Sequence, residues 1–450
     1  MLQEGWILTK LSRLIKIKHG FAFKGELITD VPNGKILLTP GNFRIGGGFK
    51  DDKLRYYLGE YPAEYALEEG DLLISMTDLS KLGDTLGFPL LVPKTEKGVF
   101  LHNQRLGKVT IRENAPVLKE YLFYVLCSQD YRNEVLSSAT GTTVKHTSPS
   151  RIMDYEFSLP PVEEQRKIAN MLRNFDAKIQ LNDQIRETIE SIGNAVFKQW
   201  FIDFEFPNEF GGPYKSSGGE LVSSEAGEIP KSWRLSTLDE VLEIHDSKRI
   251  PLSNRERAKM QGQYRYYGAT SVIDYVNKYL FDGIYVLLGE DGSVINEDGT
   301  PVVQYVWGKF WVNNHAHVVT AKGGLSTEHL FLLLKQVNIS PYVSGAVQPK
   351  LNQNNLRAIP VVLPPHNVCA SFNETIHPLF QMYQASAEQS DILSQLRDAL
   401  LPRLINGKIR TYSTKRRNAY GAEETKRKSQ VQTQTNLGKW LKDIKKLHNN

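Results

Sequence analysis

LPPVEEQRKIANMLRNFDAKIQ (residues 159–180) and LPPHNVCASFNETIHPLFQ (residues 363–381) carry the same punctuation 204 positions apart (159 to 363). In each, an apolar run ends at Leu-Pro-Pro and a helical pattern follows. Proline fixes φ and donates nothing to a strand ladder, so Pro160-Pro161 and Pro364-Pro365 each end a strand and stiffen the entry to a helix. The repetition extends outward. WILTKL at 6–11 is echoed by WRLSTL at 233–238, and EEGDLLISMTD at 68–78 by FDGIYVLLGED at 281–291. FLHNQRLGKVTI at 100–111 pairs with WVNNHAHVVTA at 311–321, and LKEYLFYVL at 118–126 with STEHLFLLL at 326–334. GTTVKHTSPSRIMDYEFSLPP at 141–161 aligns without a gap on GAVQPKLNQNNLRAIPVVLPP at 345–365. Five weak echoes in one order make a tandem duplication, the first thing to test in a long chain.

The chain of 450 residues exceeds one ordinary core, and 40% apolar with 23% charged residues fits a water-soluble globular class. Cys127 and Cys369 are the only cysteines, too few for a tetrahedral zinc site or a disulfide framework. The N-terminal MLQEGWILTKLSRLIKIKHG lacks the apolar core of a secretion signal, and runs such as HLFLLL are too short to span a bilayer, so a cytoplasmic location without membrane association is expected. The net charge of +5 is concentrated: residues 408–450 hold 12 basic and 3 acidic groups, leaving 43 basic against 47 acidic elsewhere. A near-neutral body argues against indiscriminate phosphate binding and leaves room for selective contacts.

The residues predict a mixed α/β (α+β) fold with two similar globular parts, 1–160 and 233–364, and two helical regions, 161–204 and 365–409. Thirteen of the 28 residues at 205–232 are Gly, Pro or Ser, a connector with turns. Pro378 predicts a break in the second helical region, with a short helix to about His377 and a longer one from Pro378 to about Leu404; Asn174 and Asp176 suggest a matching new cap in the first. Apolar residues then recur at Ile179, Ile185, Ile189, Ile192, Val196 and Trp200, and at Leu379, Tyr383, Ala387, Leu393, Leu396 and Leu400. Asn182 and Ser390 interrupt these stripes. Periodicity alone fits a helix docked on its own domain or two helices paired with each other. The duplication favours an antiparallel, coiled-coil-like pair of equivalent helices about a pseudo-two-fold axis, separating two globular domains by roughly 38–40 Å of helix at 1.5 Å per residue.

Enzymatic motifs are missing. Gly34-Lys35 and Gly407-Lys408 are each followed by Ile, not Ser or Thr, so no phosphate-cradling loop of that type occurs there. Both Pro-Pro pairs follow leucine, unlike an amino-methyltransferase motif, and GNFRIGGGF at 41–49 lacks dinucleotide-binding spacing. His315 and His317 alternate onto one strand face without a third ligand nearby, so no metal is expected and a structural or polar-surface role is favoured.

LPPVEEQRKIANMLRNFDAKIQLNDQIRETIESIGNAVFKQWFIDF, followed by GGPYKSSGGELVSSEAGEIPKSW, resembles the first central region of the specificity subunit of type I restriction-modification systems. LSQLRDALLPRLINGKI, ending at Ile409, is similar to that family's second central region. The resemblance covers about 1–409 and implies two target-recognition domains, each reading half of a bipartite DNA sequence across a spacer of fixed length. It implies a non-catalytic subunit that binds double-stranded DNA and recruits two modification subunits and the restriction subunits. S-adenosylmethionine, ATP and Mg would then sit on those partners, with none bound by this chain. Half-site spacing as a geometric property of a two-fold protein agrees with this division. Two other readings stay open: a duplicated interaction scaffold that does not read DNA, and the specificity partner of a modification-only system.

Groups able to reach base edges are Arg, Lys, Asn, Gln, Ser and Thr on loops or helices. The aligned segments before each Leu-Pro-Pro supply Thr142, Thr143, Lys145, His146 and Ser148, and Gln348, Lys350, Asn352 and Gln353; each segment reads equally as a capped turn before the hinge. Asn103 and Arg105, and Lys248 and Arg249 in HDSKRIPLSNRERAK, are further polar-loop candidates. The tail 410–450 departs from the family pattern. Its first part has the composition of a disordered segment, and LGKWLKDIKKL sets Leu437, Trp440, Leu441, Ile444 and Leu447 on one helical face. A solvated extension, a DNA contact and a docking helix are all compatible with it.

Overall fold

The computed structural model describes residues 4–80, 83–142, 144–345 and 347–411. The tail beyond 411 and Thr143 lie outside the described residues. Two compact units emerge, Met1–Leu172 with Ala399–Asn450, and Arg173–Asp398.

The two units repeat one frame. In the first, strand Ile7–Lys10 pairs antiparallel with Glu156–Leu159, running Ile7 opposite Leu159 to Lys10 opposite Glu156. In the second, Arg234–Thr237 pairs antiparallel with Pro360–Leu363, from Arg234 opposite Leu363 to Thr237 opposite Pro360. A single helical turn follows each, Leu11–Leu14 or Leu238–Val241, and leads into the edge strand of the main sheet. That sheet runs Ile15–His19, Leu106–Ile111, Leu72–Ser75, Pro89–Leu91 in the first unit. In the second it runs Leu242–Ile244, Ala316–Ala321, Phe281–Gly289, Val303–Val312, then Gln261–Tyr267 and Val272–Val276. Leu-Pro-Pro ends the last strand in both copies because no proline can extend the ladder.

What differs is inserted between the common strands. The first unit adds a five-stranded sheet, ordered Ile28–Thr29, Arg55–Tyr57, Lys35–Leu38, Val99–His102, Ala66–Leu67. The second widens its main sheet instead, with Gln261–Tyr267 joined parallel to Val303–Val312, and carries the short helix Asn254–Lys259.

Each Leu-Pro-Pro opens an unbroken helix, Val162–Phe197 and His366–Ile405. The break expected at Pro378 is absent, as is the new cap near Asn174 and Asp176. Pro378 is exposed, while Phe372, Ile376 and Phe380 on the opposite face are buried in the second unit's core. The proline therefore frees only a water-facing carbonyl, and packing holds the helix together where propensity would stop it. Asp176 accepts a 2.8 Å ion pair from Arg397 instead of capping.

Within the second unit the two helices run antiparallel. Asp176 meets Arg397, Asn182 Nδ2 donates to Gln389 Oε1 at 3.0 Å, and Tyr383 Oη donates to Glu190 at 3.2 Å. Asn182, which interrupts the apolar stripe, is buried and paired, the arrangement by which one polar residue fixes register between helices. Ile189 and Ala387 are buried, and Ile179, Ile185, Val196, Leu379, Leu393, Leu396 and Leu400 are half-buried. Ile192 departs from the expected stripe: it is 42% exposed, and buried Gly193 beside it faces Leu332 and Phe380. In the first unit, Leu404 and Ile405 join Ile168 and Leu172 in one core, and Arg410 pairs with Glu164 at 3.1 Å. Glu164 also accepts the indole N–H of Trp6 at 3.0 Å, fastening the start of the frame to the start of the helix. No helix among the described residues is long and apolar enough to cross a membrane.

The expected connector 205–232 is structured. Leu221–Ser224 and Gly227–Pro230 form a hairpin, Phe206 stacks on Tyr214 at 4.5 Å, and Phe206 and Ile229 are buried with Trp233.

Candidate nucleic-acid interface

The aligned polar segments before Leu-Pro-Pro close into the same hairpin. Thr140 and His146 exchange backbone hydrogen bonds of 2.9 and 2.8 Å, and Ser344 and Lys350 exchange bonds of 2.9 and 2.7 Å. Both pairs stand 204 positions apart (140 to 344, 146 to 350). Gly141 at φ 95° and Gly345 at φ 88° start the two turns in the left-handed region. A Cβ there would collide with the carbonyl oxygen of Val144 or Gln348, so only glycine fits.

Beyond each hairpin a cap begins the last short helix. Ser148 Oγ accepts from Arg151 N at 3.4 Å, and Asn352 Oδ1 accepts from Asn355 N at 2.9 Å. Those two candidates act locally as capping residues. At the tips, Thr142 and Gln348 are exposed, Lys145 is half-buried, and His146 and Lys350 are exposed. Val347 is 100% exposed at the second tip, an apolar side chain where the residue pattern points to polar groups.

Each hairpin is also tied to the segment after the central strand. Lys145 and His146 pair with Asp78 and Thr77, and His146 Nδ1 lies 3.1 Å from Thr77 Oγ1. Lys350 bridges Asp291. Burial would raise the Asp78 carboxyl, but hydrogen bonds from Thr85 and Ser80 outweigh it and hold the group below its ordinary range.

Arg249 is withdrawn from the expected contact surface. Its Nη1 lies 2.6 Å from Glu290 Oε2 and 2.6 Å from the Ala316 carbonyl, and its Nη2 3.3 Å from Asp246 Oδ2. Asp246 Oδ2 also receives His317 Nδ1 and Gln353 Nε2, each at 2.6 Å, and Oδ1 accepts Val318 N at 2.9 Å. Burial opposes ionisation of Asp246, yet the His317 hydrogen bond and charge, the Val318 amide and Arg249 together hold its carboxyl low. His317 Nε2 meets the Leu351 carbonyl at 2.7 Å, so both its ring nitrogens face acceptors. Gln353, though exposed, thereby braces the network. Lys248 is exposed on the same loop.

His317, fully buried, does not share a surface with His315, which precedes the strand, is largely exposed and pairs with Asp291. Asp246, Glu290 and His317 gather ligand-type atoms within 4.8 Å of one another. Arg249 already supplies the cation between the two carboxylates and both imidazole nitrogens are engaged, so the group is closed as an ion-pair network. In the first unit Asn103 is buried and accepts Arg105 N at 2.9 Å, a turn-forming role, while the Arg105 side chain is exposed.

A family model described as the type I restriction modification DNA specificity domain matches residues 3–191 and again 230–398. The MjaIX specificity subunit of Methanocaldococcus jannaschii is 26% identical over 314 residues, 65% of this chain and 70% of that one. The HindI specificity subunit of Haemophilus influenzae is 23% identical over 367 residues, 65% of this chain and 78% of that one. A type I restriction-modification S subunit from M. genitalium superposes with a TM-score of 0.50 at 15% identity, covering 90% of this chain and 96% of that one. One family matched twice, over the two copies of one frame, gives the assignment: the chain belongs to the type I restriction-modification DNA specificity family.

Proposed function

We propose that the chain reads a bipartite double-stranded DNA target, one half per unit, with an unread spacer of fixed length. It does so as the non-catalytic specificity subunit of a larger complex, in the cytoplasm. The observation that carries this is the double family match over a duplicated frame, because two equivalent readers in one chain suit two half-sites at set spacing. Two adenine methyltransferase subunits bind to it and supply the S-adenosylmethionine chemistry. Restriction subunits supply ATP- and Mg-dependent translocation and cutting.

The test is to co-express the chain with the methyltransferase encoded beside it and map adenine methylation across a host genome. A single two-part motif with a constant gap is the expected result. Scattered methylation, or none from a stable complex, overturns the reading in favour of an interaction scaffold.

A further inference from the structure

Between the common strands the two units diverge: a second sheet in one, a widened sheet and the helix Asn254–Lys259 in the other. Against that divergence the hairpins Thr140–His146 and Ser344–Lys350 keep the same closing bonds, the same left-handed glycine and the same following cap. Their side chains differ, Thr142, Val144, Lys145 and His146 against Val347, Gln348, Pro349 and Lys350. An element built identically in two readers of different half-sites suits what those half-sites share. In duplex DNA the shared feature is the phosphate backbone, since base edges differ from site to site.

The charges fit. Lys145 in the first hairpin and Lys350 in the second have no ion-pair partner among the described residues, whereas Arg249 is consumed by Glu290 and Asp246. The position equivalent to Lys350 is His146, held at Thr77, so in the first unit the permanent cation comes from the neighbouring Lys145. A lysine is a point charge with rotatable donors, suited to phosphate oxygens more than to bidentate base pairing. Both hairpins are anchored through their backbones, the first at Thr77-Asp78 and the second at Asp291.

We propose that the twin hairpins are equivalent phosphate grips, one for each half-site of double-stranded DNA, with base discrimination carried by the parts that the units do not share. This rests on the DNA-reading function proposed above. The hairpins fix the register of each unit on the duplex and add affinity without sequence preference.

The test compares Lys145→Ala, Lys350→Ala and the double variant, each in the full chain assembled with the neighbouring methyltransferase. Binding to a duplex bearing the motif methylated by the wild-type complex is followed across a salt series, alongside methylation mapping. Each lysine lost should weaken binding several-fold at low salt and reduce the salt slope by about 0.9, the contribution of one phosphate contact. The methylated motif should stay unchanged at every position, and Lys145→Arg and Lys350→Arg should retain binding. A relaxed motif in one half would overturn the grip in favour of base reading, Gln348 being the group then to test. Unchanged affinity and slope in folded variants would overturn it outright. If the wild-type complex binds no duplex, the functional reading itself fails, a result distinct from either of these.

Discussion

Gly107 in the first unit and His317 in the second occupy the same point of the frame, each two residues beyond the carbonyl, of Arg105 or His315, that accepts from Met76 N or Glu290 N. Gly107 stands opposite Ile74 and His317 opposite Leu288, at matched positions of matched strands, and both are buried. The first unit has no side chain at that point: a Cβ on Gly107 would press on Ile17 and Met76, while its neighbour Leu106 joins an apolar cluster with Leu38, Leu73 and Phe100. The second fills it with an imidazole that joins three separate stretches of chain, reaching Asp246, Glu290 and Leu351. One backbone thus tolerates two solutions, and the choice decides how the loop behind each hairpin is held. In the first unit shape and hydroxyl bonds hold it. In the second a charged lattice does.

Breaking the lattice should have the largest effect. Asp246→Ala leaves His317 and Arg249 buried with an acceptor missing, and loss of one partner from such a pair costs about 3–5 kcal/mol. Hydrogen exchange resolved by segment should show strand Phe281–Gly289 losing protection while Leu106–Ile111 keeps its own. Leu106→His buries an imidazole without a carboxylate in the apolar cluster of the first unit and should weaken only that unit, by about 1–3 kcal/mol. Equal losses in both units from either variant would show that the two solutions are not independent.

The helices offer a second contrast. Phe380 in the second helix and Asp176 in the first are equivalent by the 204-position offset (176 to 380), yet one fills a core and the other makes an ion pair. Phe380→Ala should cost about 3–5 kcal/mol by opening a cavity beside Tyr305 and Phe331. Pro378→Ala should act in the opposite direction, stabilising by up to about 3 kcal/mol, since an exposed helical proline carries roughly that penalty. Thermal unfolding reads both, and a destabilised Pro378→Ala protein would mean that packing depends on a local bend.

Acid should separate the units further. Burial lowers His329 in the second unit to about 3, with its Nδ1 unpartnered, and lowers His102 in the first to about 4, with Nε2 against the Leu106 carbonyl. Both are neutral when folded and titrate near 6.5 when unfolded, so the unfolded chain takes up the proton first. Stability should therefore fall as pH drops from about 6.5, down to about 4 for the first unit and about 3 for the second. His329→Leu should flatten the pH dependence of the second unit alone; an unaltered slope would mean that carboxylates dominate. The smallest effect belongs to Arg397→Ala, whose pair with Asp176 is about a third exposed and should contribute less than about 1 kcal/mol.

The duplication was legible because it repeats whole phrases, and Leu-Pro-Pro because proline acts locally. The hairpins lay within the gapless alignment of 141–161 on 345–365, although their shared closure at Thr140 and Ser344 needed coordinates. Pro378 misled for a physical reason: its cost is local, while the burial of Phe372, Ile376 and Phe380 that offsets it comes from elsewhere in the unit. Arg249 misled in the same way, since its partners Asp246, Glu290 and the Ala316 carbonyl meet only through sheet pairing. The sequence marks His317 by its alternation with His315, but the carboxylate it meets is 71 positions away and no spacing rule reaches that far. The inserted sheet of the first unit depends on pairings such as Lys35 with Val99, set by tertiary packing more than by local pattern.

The first unit takes Leu404 and Ile405 into its core alongside Trp6 and Leu172, while the second draws on one uninterrupted stretch, Arg173–Asp398. On the ribosome this reverses the usual order of completion. The unit begun first must wait, with an apolar site open, until the second has been made. A chain truncated before Leu404 and released should therefore yield a protease-resistant second unit and a first unit still open to cleavage, so that closure of the first marks the end of folding rather than its start.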